Sequence, residues 1–187
     1  LILDSVGLSI EGVKINNDPV INYKIEPEHL IITPLIPLSP SKVYQVSIDY
    51  SVTKPKLGAY FILPTEFYPN IPKTAFSQNE PIDARFWFPN NDRPDDKATT
   101  EMYITTDSQF FALSNGQLED VTTDGATKTY HWKQTLPFSS YLISFAIGNF
   151  NVFKSNFNSI PVESYYHSNK ENVIPSLHDT NKMVALF

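Results

Sequence analysis

Prolines divide this chain into short segments, and that division most constrains its fold. Fifteen prolines stand against six glycines in 187 residues, and proline is poorly tolerated inside helices. Between the turn-forming clusters, apolar and polar residues alternate with a period of two, which is typical of half-buried strands. The clearest alternation runs from Lys42 to Val52. The sequence therefore predicts an all-β protein of several short antiparallel strands, as a multi-stranded sheet or a sandwich.

Further strands are predicted wherever a short β-prone run lies between turn signals. Asn115-Gly116 and Asp124-Gly125 are expected to close hairpins, and the aromatic run from Phe86 to Phe88 is expected to be a buried strand. A short helix is expected only in the tail, because Pro175 suits a first helical turn and apolar residues recur at helical spacing from Leu177 to Phe187. The predicted strands cover residues 3–15, 20–25, 29–35, 59–63, 99–106, 110–114, 128–134, 141–147, 152–157 and 160–167.

The charge and the composition exclude several classes of function. A net charge of −6 and a pI near 5.1 leave no basic surface, so nucleic acid is not an expected partner. The chain has no cysteine, which rules out disulfides, zinc-thiolate sites and thiol catalysis. No apolar run is long enough for a membrane-spanning helix. These observations leave the compartment of the protein undetermined.

Metal-binding motifs are weak in this sequence. The four histidines lie far apart, without H-E-x-x-H or i, i+4 pairing, and no metal site is expected in this chain. The acidic cluster from Asn91 to Asp96 lacks the spacing and the glycine of a calcium loop, and a solvated turn is the favoured interpretation. The histidines are His29, His131, His167 and His178.

Other catalytic and binding patterns also have a simpler interpretation. No G-x-S-x-G motif is present, and no residue of this chain is expected to be catalytic. Glu80 and Asp83 could suggest a glycosidase pair, but carboxylates three residues apart on a strand would point to opposite faces. Three aromatic residues could form a platform for sugars, although a place in the core is favoured. They are Trp87, Tyr103 and Trp132.

One stretch, from Phe76 to Thr100, carries a specific signal. It resembles the signature T-Q-x-E-x-x-D-A-R-x-x-F-P-C-x-D-x-P-x-x-K-A-T of the aminopeptidase N family of zinc metallopeptidases. The resemblance continues through Ala112–Gly116 and Tyr141–Phe150, while Ser77 and Asn90 depart from the pattern. The matching residues are Gln78, Glu80, Asp83, Ala84, Arg85, Phe88, Pro89, Asp92, Pro94, Lys97, Ala98 and Thr99.

This resemblance implies a saddle-shaped, β-rich N-terminal domain at residues 1–150, which lies against a thermolysin-like catalytic domain. Residues 151–187 would be the opening strands and first helix of that catalytic domain. The family's G-x-M-E-N and H-E-x-x-H motifs are absent from this sequence, so the zinc is expected in the missing catalytic domain. The chain by itself is therefore expected to be inactive, with its own catalytic domain and peptide N-termini as partners.

The resemblance also implies that Gln78 and Glu80 contact the free N-terminal amine of a peptide substrate and its first side chain. Both residues are expected to be exposed when the catalytic domain is missing. Asp83 and Arg85 are expected to form a structural pair or a loop clamp, with no direct substrate role. A different class of function remains as the alternative, namely a free-standing β-sandwich module for adhesion or carbohydrate binding.

Overall fold

A computed structural model describes residues 1–186 of the chain. Strands hold 48% of the residues and helices 11%, which confirms the all-β prediction. The paired strands of each sheet run antiparallel. None of the helices within residues 1–186 has the length and apolar character required to cross a bilayer.

The first six strands form two small sheets around one core. The sheet orders are β1-β5-β4 and β3-β2-β6. Leu30 and Ile32 lie on the same face of one strand and are 0% and 1% exposed, against Val13 and Ile15 of another, as a period of two requires. The strands are β1 (Ile2–Asp4), β2 (Ser9–Ile15), β3 (Asp18–Pro19), β4 (Tyr23–Ile25), β5 (His29–Ile32) and β6 (Val46–Ser51).

The next seven strands form a four-stranded and a three-stranded sheet, in the orders β10-β13-β8-β7 and β11-β12-β9. Ala112, Tyr130 and Trp132 form a second core between these sheets. The Trp132 indole donates a hydrogen bond to the Ala112 carbonyl at 3.0 Å. The strands are β7 (Gly58–Ile62), β8 (Thr74–Gln78), β9 (Ala98–Asp107), β10 (Phe111–Ser114), β11 (Gln117–Asp124), β12 (Thr127–Phe138) and β13 (Phe145–Gly148).

The C-terminal part is a separate hairpin followed by short helices. Among the described strands, β14 (Phe150–Phe157) and β15 (Ile160–His167) pair only with each other. Tyr165 stacks on Phe111 with ring centroids 5.5 Å apart, which joins the hairpin to the four-stranded sheet. Helices α1 (Ile174–Leu177) and α2 (Thr180–Leu186) confirm the predicted helical tail, with Pro175 in the first turn. The last residue of that prediction, Phe187, lies outside the described residues.

Several strand predictions need correction. The segment 3–15 splits into β1 and β2, and the segments 20–25 and 29–35 form strands only in β4 and β5. The hairpin expected at Asn115-Gly116 does not form, because β10 and β11 belong to different sheets.

The run from Phe86 to Phe88 is not a strand, because a 3-10 helix occupies Ala84–Phe86 and the Trp87 and Phe88 N–H groups bond to the Ala84 carbonyl. The segment 141–147 begins with a 3-10 helix at Ser140–Leu142, and its strand starts only at Phe145. The segment 42–52 forms a strand from Val46 onward.

Candidate functional site

The turn that follows β8 presents both predicted substrate-binding residues. We call residues 78–83 the β8 turn. Strand β8 lies between β7 and β13, and its last residue, Gln78, is opposite Gly58 of β7. Gln78 and Glu80 are both exposed, which confirms the expected exposure. The β8 turn therefore places an amide and a carboxylate two residues apart, at the end of a strand paired on both sides.

Asn79 lies between these two residues and points the other way. It is 2% exposed, and its side-chain oxygen accepts a hydrogen bond from the Trp87 indole at 2.8 Å. Its amide nitrogen donates to the Ile143 carbonyl, and its own carbonyl accepts from the Asp83 N–H at 2.7 Å. The β8 turn is thus bonded to itself, to the aromatic run and to the segment before β13. Asn79 was not among the predicted site residues, although the period of two that places Gln78 outward also places Asn79 inward.

Strand β7 approaches the β8 turn closely at Gly58. This glycine has a φ of +78°, and a Cβ built there would clash with the Asp83 carbonyl oxygen and lie 3.0 Å from Cδ1 of Trp87. Only glycine adopts this backbone conformation readily and leaves room for the neighbouring carbonyl. The backbone of the turn therefore packs directly on the backbone of β7.

A buried network of charged and polar groups fixes the residues after the β8 turn. Arg85 contacts Asp4 and Asp92, each at 3.1 Å. Ser140 donates to the second carboxylate oxygen of Asp92 at 2.8 Å, and the Asp92 N–H donates to Asp4 at 2.9 Å. The predicted pair of Arg85 with Asp83 is wrong, because β1 and the 89–92 segment bring two other carboxylates to the guanidinium. Arg85 instead acts as the alternative, a loop clamp, and its Nε also donates to the Ile82 carbonyl at 3.0 Å.

The acidic cluster after this stretch is only partly a solvated turn. Asp92 was predicted to be solvated, but its side chain is 1% exposed. Asp95 matches the prediction, because its side chain is 68% exposed and contacts only Arg93 at 2.8 Å among the ion pairs of the described residues. The hydrogen bond and the charge of Arg93 lower the pKa of Asp95.

The three aromatic residues considered for sugar stacking do not form one platform. Trp132 lies in the core, as favoured. Tyr103 is 63% exposed, contrary to the core interpretation, and stacks on His131 with ring centroids 4.1 Å apart. Trp87 is half-buried against Phe145. The hydrogen bond with His131 lowers the pKa of the neighbouring Glu101.

The described residues offer no three-ligand metal site. His29 lies near Asp4, His131 contacts Glu101, and His167 lies 3.4 Å from the Thr74 hydroxyl. His178 packs on the ring of Phe153. These environments are separate and do not fit a zinc ion.

The antiparallel β-sheets and the polar turn at the end of β8 agree with the class of domain that the family comparison identifies. Residues 1–142 match the Peptidase M1 N-terminal domain family. The chain belongs to this family, and the resemblance inferred from the β8 turn and its flanks is confirmed.

Curated relatives fall into two groups. The chain is 31% identical over 155 residues to transcription initiation factor TFIID subunit 2 of Gallus gallus, covering 78% of this chain and 13% of the relative. It is 28% identical over 155 residues to leucine aminopeptidase 2 of Neurospora crassa, covering 79% of this chain and 23% of the relative. The chain thus spans less than a quarter of the length of each.

Solved structures share the fold. The M1 zinc metallopeptidase of Deinococcus radiodurans, in a mutant bound to a Tyr-Ser-Ala substrate, superposes with a TM-score of 0.74 at 21% identity and covers 90% of this chain and 40% of that chain. Legionella pneumophila aminopeptidase A, in complex with aspartic acid, gives a TM-score of 0.77 at 22% identity, covering 92% of this chain and 20% of that chain. These similarities establish the fold.

Proposed function

We propose that this chain is the substrate-anchoring N-terminal domain of a zinc aminopeptidase, in which Gln78 and Glu80 bind the free N-terminal amine of the peptide. The observation that carries the proposal is the position of these two residues, which are exposed on the β8 turn. Asn79 fixes this turn through hydrogen bonds with Trp87, Ile143 and Asp83. The peptide bond would be cleaved by a following catalytic domain, which would supply the zinc and the chemistry that the metal performs.

The proposed role fits what an exopeptidase must recognise. The α-ammonium group marks the end of a peptide, and with a pKa near 8, roughly, it is mostly charged at neutral pH. A charge-assisted hydrogen bond between this ammonium and the Glu80 carboxylate would contribute about 1.5–3 kcal/mol. An internal peptide bond offers no such charge, so the carboxylate would be left unpaired in the closed site. Glu80 would therefore select for chain ends.

The proposed domain boundary near residue 150 is supported by the arrangement of the strands. Residues 1–142 match the family of N-terminal domains, and the hairpin β14–β15 forms a sheet of its own. We therefore propose that residues 151–187 open the catalytic domain. Family membership also favours this function over a free-standing adhesion or carbohydrate-binding module.

The test is the activity of Glu80→Ala in the intact protein, on peptides with a free N-terminus. Loss of the ion pair should lower kcat/KM by about 10- to 150-fold, which corresponds to about 1.5–3 kcal/mol. Glu119→Ala is the matched control, since Glu119 is also an exposed glutamate but lies on β11. A kcat/KM within about twofold of wild type, or about 0.4 kcal/mol, would contradict the proposed role.

A second candidate is favoured by the relatives that are subunits of a transcription initiation factor. In that case the domain would serve assembly rather than peptide cleavage. Metal analysis of the intact protein separates the two candidates. About one zinc ion per chain together with aminopeptidase activity supports the peptidase, whereas neither zinc nor hydrolysis supports the assembly subunit.

A further inference from the structure

Gln78 and Glu80 can both bind the α-ammonium group of a peptide only if the backbone holds the two side chains in fixed positions. Their own side chains are exposed, so the fixing contacts must come from other groups of the β8 turn. A displacement of about 1 Å at a binding group can cost about a hundredfold in rate. The residue that fixes the backbone between them is therefore part of the binding apparatus.

We infer that Asn79 is the positioning residue for Gln78 and Glu80, an inference that rests on the proposed function. Its side chain uses both polar ends, because the oxygen accepts from the Trp87 indole and the nitrogen donates to the Ile143 carbonyl. The two bonds lead to different parts of the fold. A side chain bonded in two directions and 2% exposed holds the backbone between Gln78 and Glu80 in place.

The two partners of Asn79 are themselves fixed. The Trp87 ring meets Phe88 and Phe145 edge-on, with centroids 4.5 Å and 5.2 Å apart. Ile143 follows the 3-10 helix Ser140–Leu142, whose first residue donates to buried Asp92. Asn79 therefore connects the β8 turn to the rigid part of the domain.

The experiment measures kcat and KM of the intact protein for a peptide with a free N-terminus. Asn79→Leu keeps the number of side-chain heavy atoms and removes both side-chain hydrogen bonds. We expect kcat/KM to fall about tenfold, because the polar groups of Gln78 and Glu80 are retained but held loosely.

Trp87→Phe removes only the indole donor, and we expect a smaller loss of kcat/KM of about threefold, by the same reasoning. Trp132→Phe is its matched control, since it also removes one indole hydrogen bond, to Ala112 in the second core, and should leave kcat/KM unchanged.

A second readout separates positioning from general destabilisation. When Gln78 and Glu80 are both alanine, adding Asn79→Leu should cause no further loss of kcat/KM, because no side chains remain to be positioned. A merely structural role for Asn79 would lower kcat/KM by the same factor in both backgrounds. An equal factor in both backgrounds overturns the inference.

Amide hydrogen exchange tests the same contacts without using activity. In the intact protein, the Asp83 amide, which bonds to the Asn79 carbonyl, should exchange at least about tenfold faster in Asn79→Leu than in wild type. Unchanged exchange overturns the inference even if Glu80→Ala is impaired. If Glu80→Ala is fully active while exchange at Asp83 accelerates, the proposed function fails and the positioning role of Asn79 in the turn stands.

Discussion

The guanidinium of Arg85 lies 3.1 Å from the carboxylate of Asp92 in the interior of the domain. The Arg85 side chain is 15% exposed and that of Asp92 1%. Both groups have further partners, since Asp4 contacts the guanidinium and Ser140 donates to the carboxylate. The pair thereby joins β1, the residues after the β8 turn and the 3-10 helix before β13.

Removing the charge of Asp92 should destabilise the fold severely. Asp92→Ala leaves the Arg85 guanidinium buried with one carboxylate fewer, and breaking a buried pair typically costs about 3–5 kcal/mol. Urea unfolding measures the free energy of unfolding of the variant. Asp95→Ala is the matched control, because it breaks an Arg–Asp pair that is exposed to solvent, and its urea midpoint should match wild type. Equal urea midpoints for the two variants would show that the network around Arg85 does not stabilise the fold.

Gly58→Ala should be more harmful than the same change at another glycine with positive φ. The new methyl group would overlap the Asp83 carbonyl oxygen and crowd Trp87, so strain and backbone shifts of about 1–3 kcal/mol add to the cost of the left-handed conformation. Gly7 has a φ of +70° and nothing within 4 Å of a Cβ, so Gly7→Ala isolates the conformational cost. Thermal unfolding of both variants gives the comparison, and an equal loss of Tm would mean that β7 does not support the β8 turn.

Stability should depend on pH in the alkaline range through Tyr165. Burial of the ring, and then the hydrogen bond and charge of Glu163, raise the pKa of Tyr165 from 10.0 to about 12. The folded state therefore holds the phenolic proton more tightly than the unfolded state. The resulting stabilisation is fully present below about pH 10 and is lost as the pH rises toward about 12.

Tyr165→Phe should lose less stability than wild type over this range, because it has no phenol to ionise. Glu163→Gln should bring the pKa of Tyr165 down toward the value set by burial alone. The pH range over which stability is lost should then become narrower. Urea midpoints at about pH 9 and about pH 11.5 provide the measurement. A wild-type protein and a Tyr165→Phe variant with the same alkaline loss would contradict the raised pKa.

Local patterns predicted most of the strands that alternate and the hairpin at Asp124-Gly125, whose strands β11 and β12 pair. The hairpin predicted at Asn115-Gly116 is wrong, because β10 and β11 belong to different sheets. These patterns failed where hydrogen bonds between different segments determine the backbone conformation. The aromatic residues 86–88 have strand propensity, but the turn closed by the Asn79 carbonyl and the Asp83 N–H leads into a 3-10 helix instead. Strand β8 was missed because Ser77 and Gln78 are polar, and only pairing with β7 and β13 makes them part of a sheet.

Only part of the candidate site was predicted, because contacts between distant segments again decide the rest. Gln78 and Glu80 could be found because their motif is local. Arg85 was found, but its partners could not be, because Asp4 is remote in sequence and the carboxylate of Asp92 is bonded by another distant residue, Ser140. Asn79 has no motif of its own, and its importance appears only when Trp87 and Ile143 are in place.

The central claim is that Glu80 pairs with the substrate's α-ammonium group, and ligand binding tests it most directly. Calorimetry on the intact protein would compare L-leucine with N-acetyl-L-leucine, which lacks the charged amine. Wild type should bind the free amino acid about 10- to 150-fold more tightly, and Glu80→Ala should lose most of that preference. The same preference in both proteins would contradict the account.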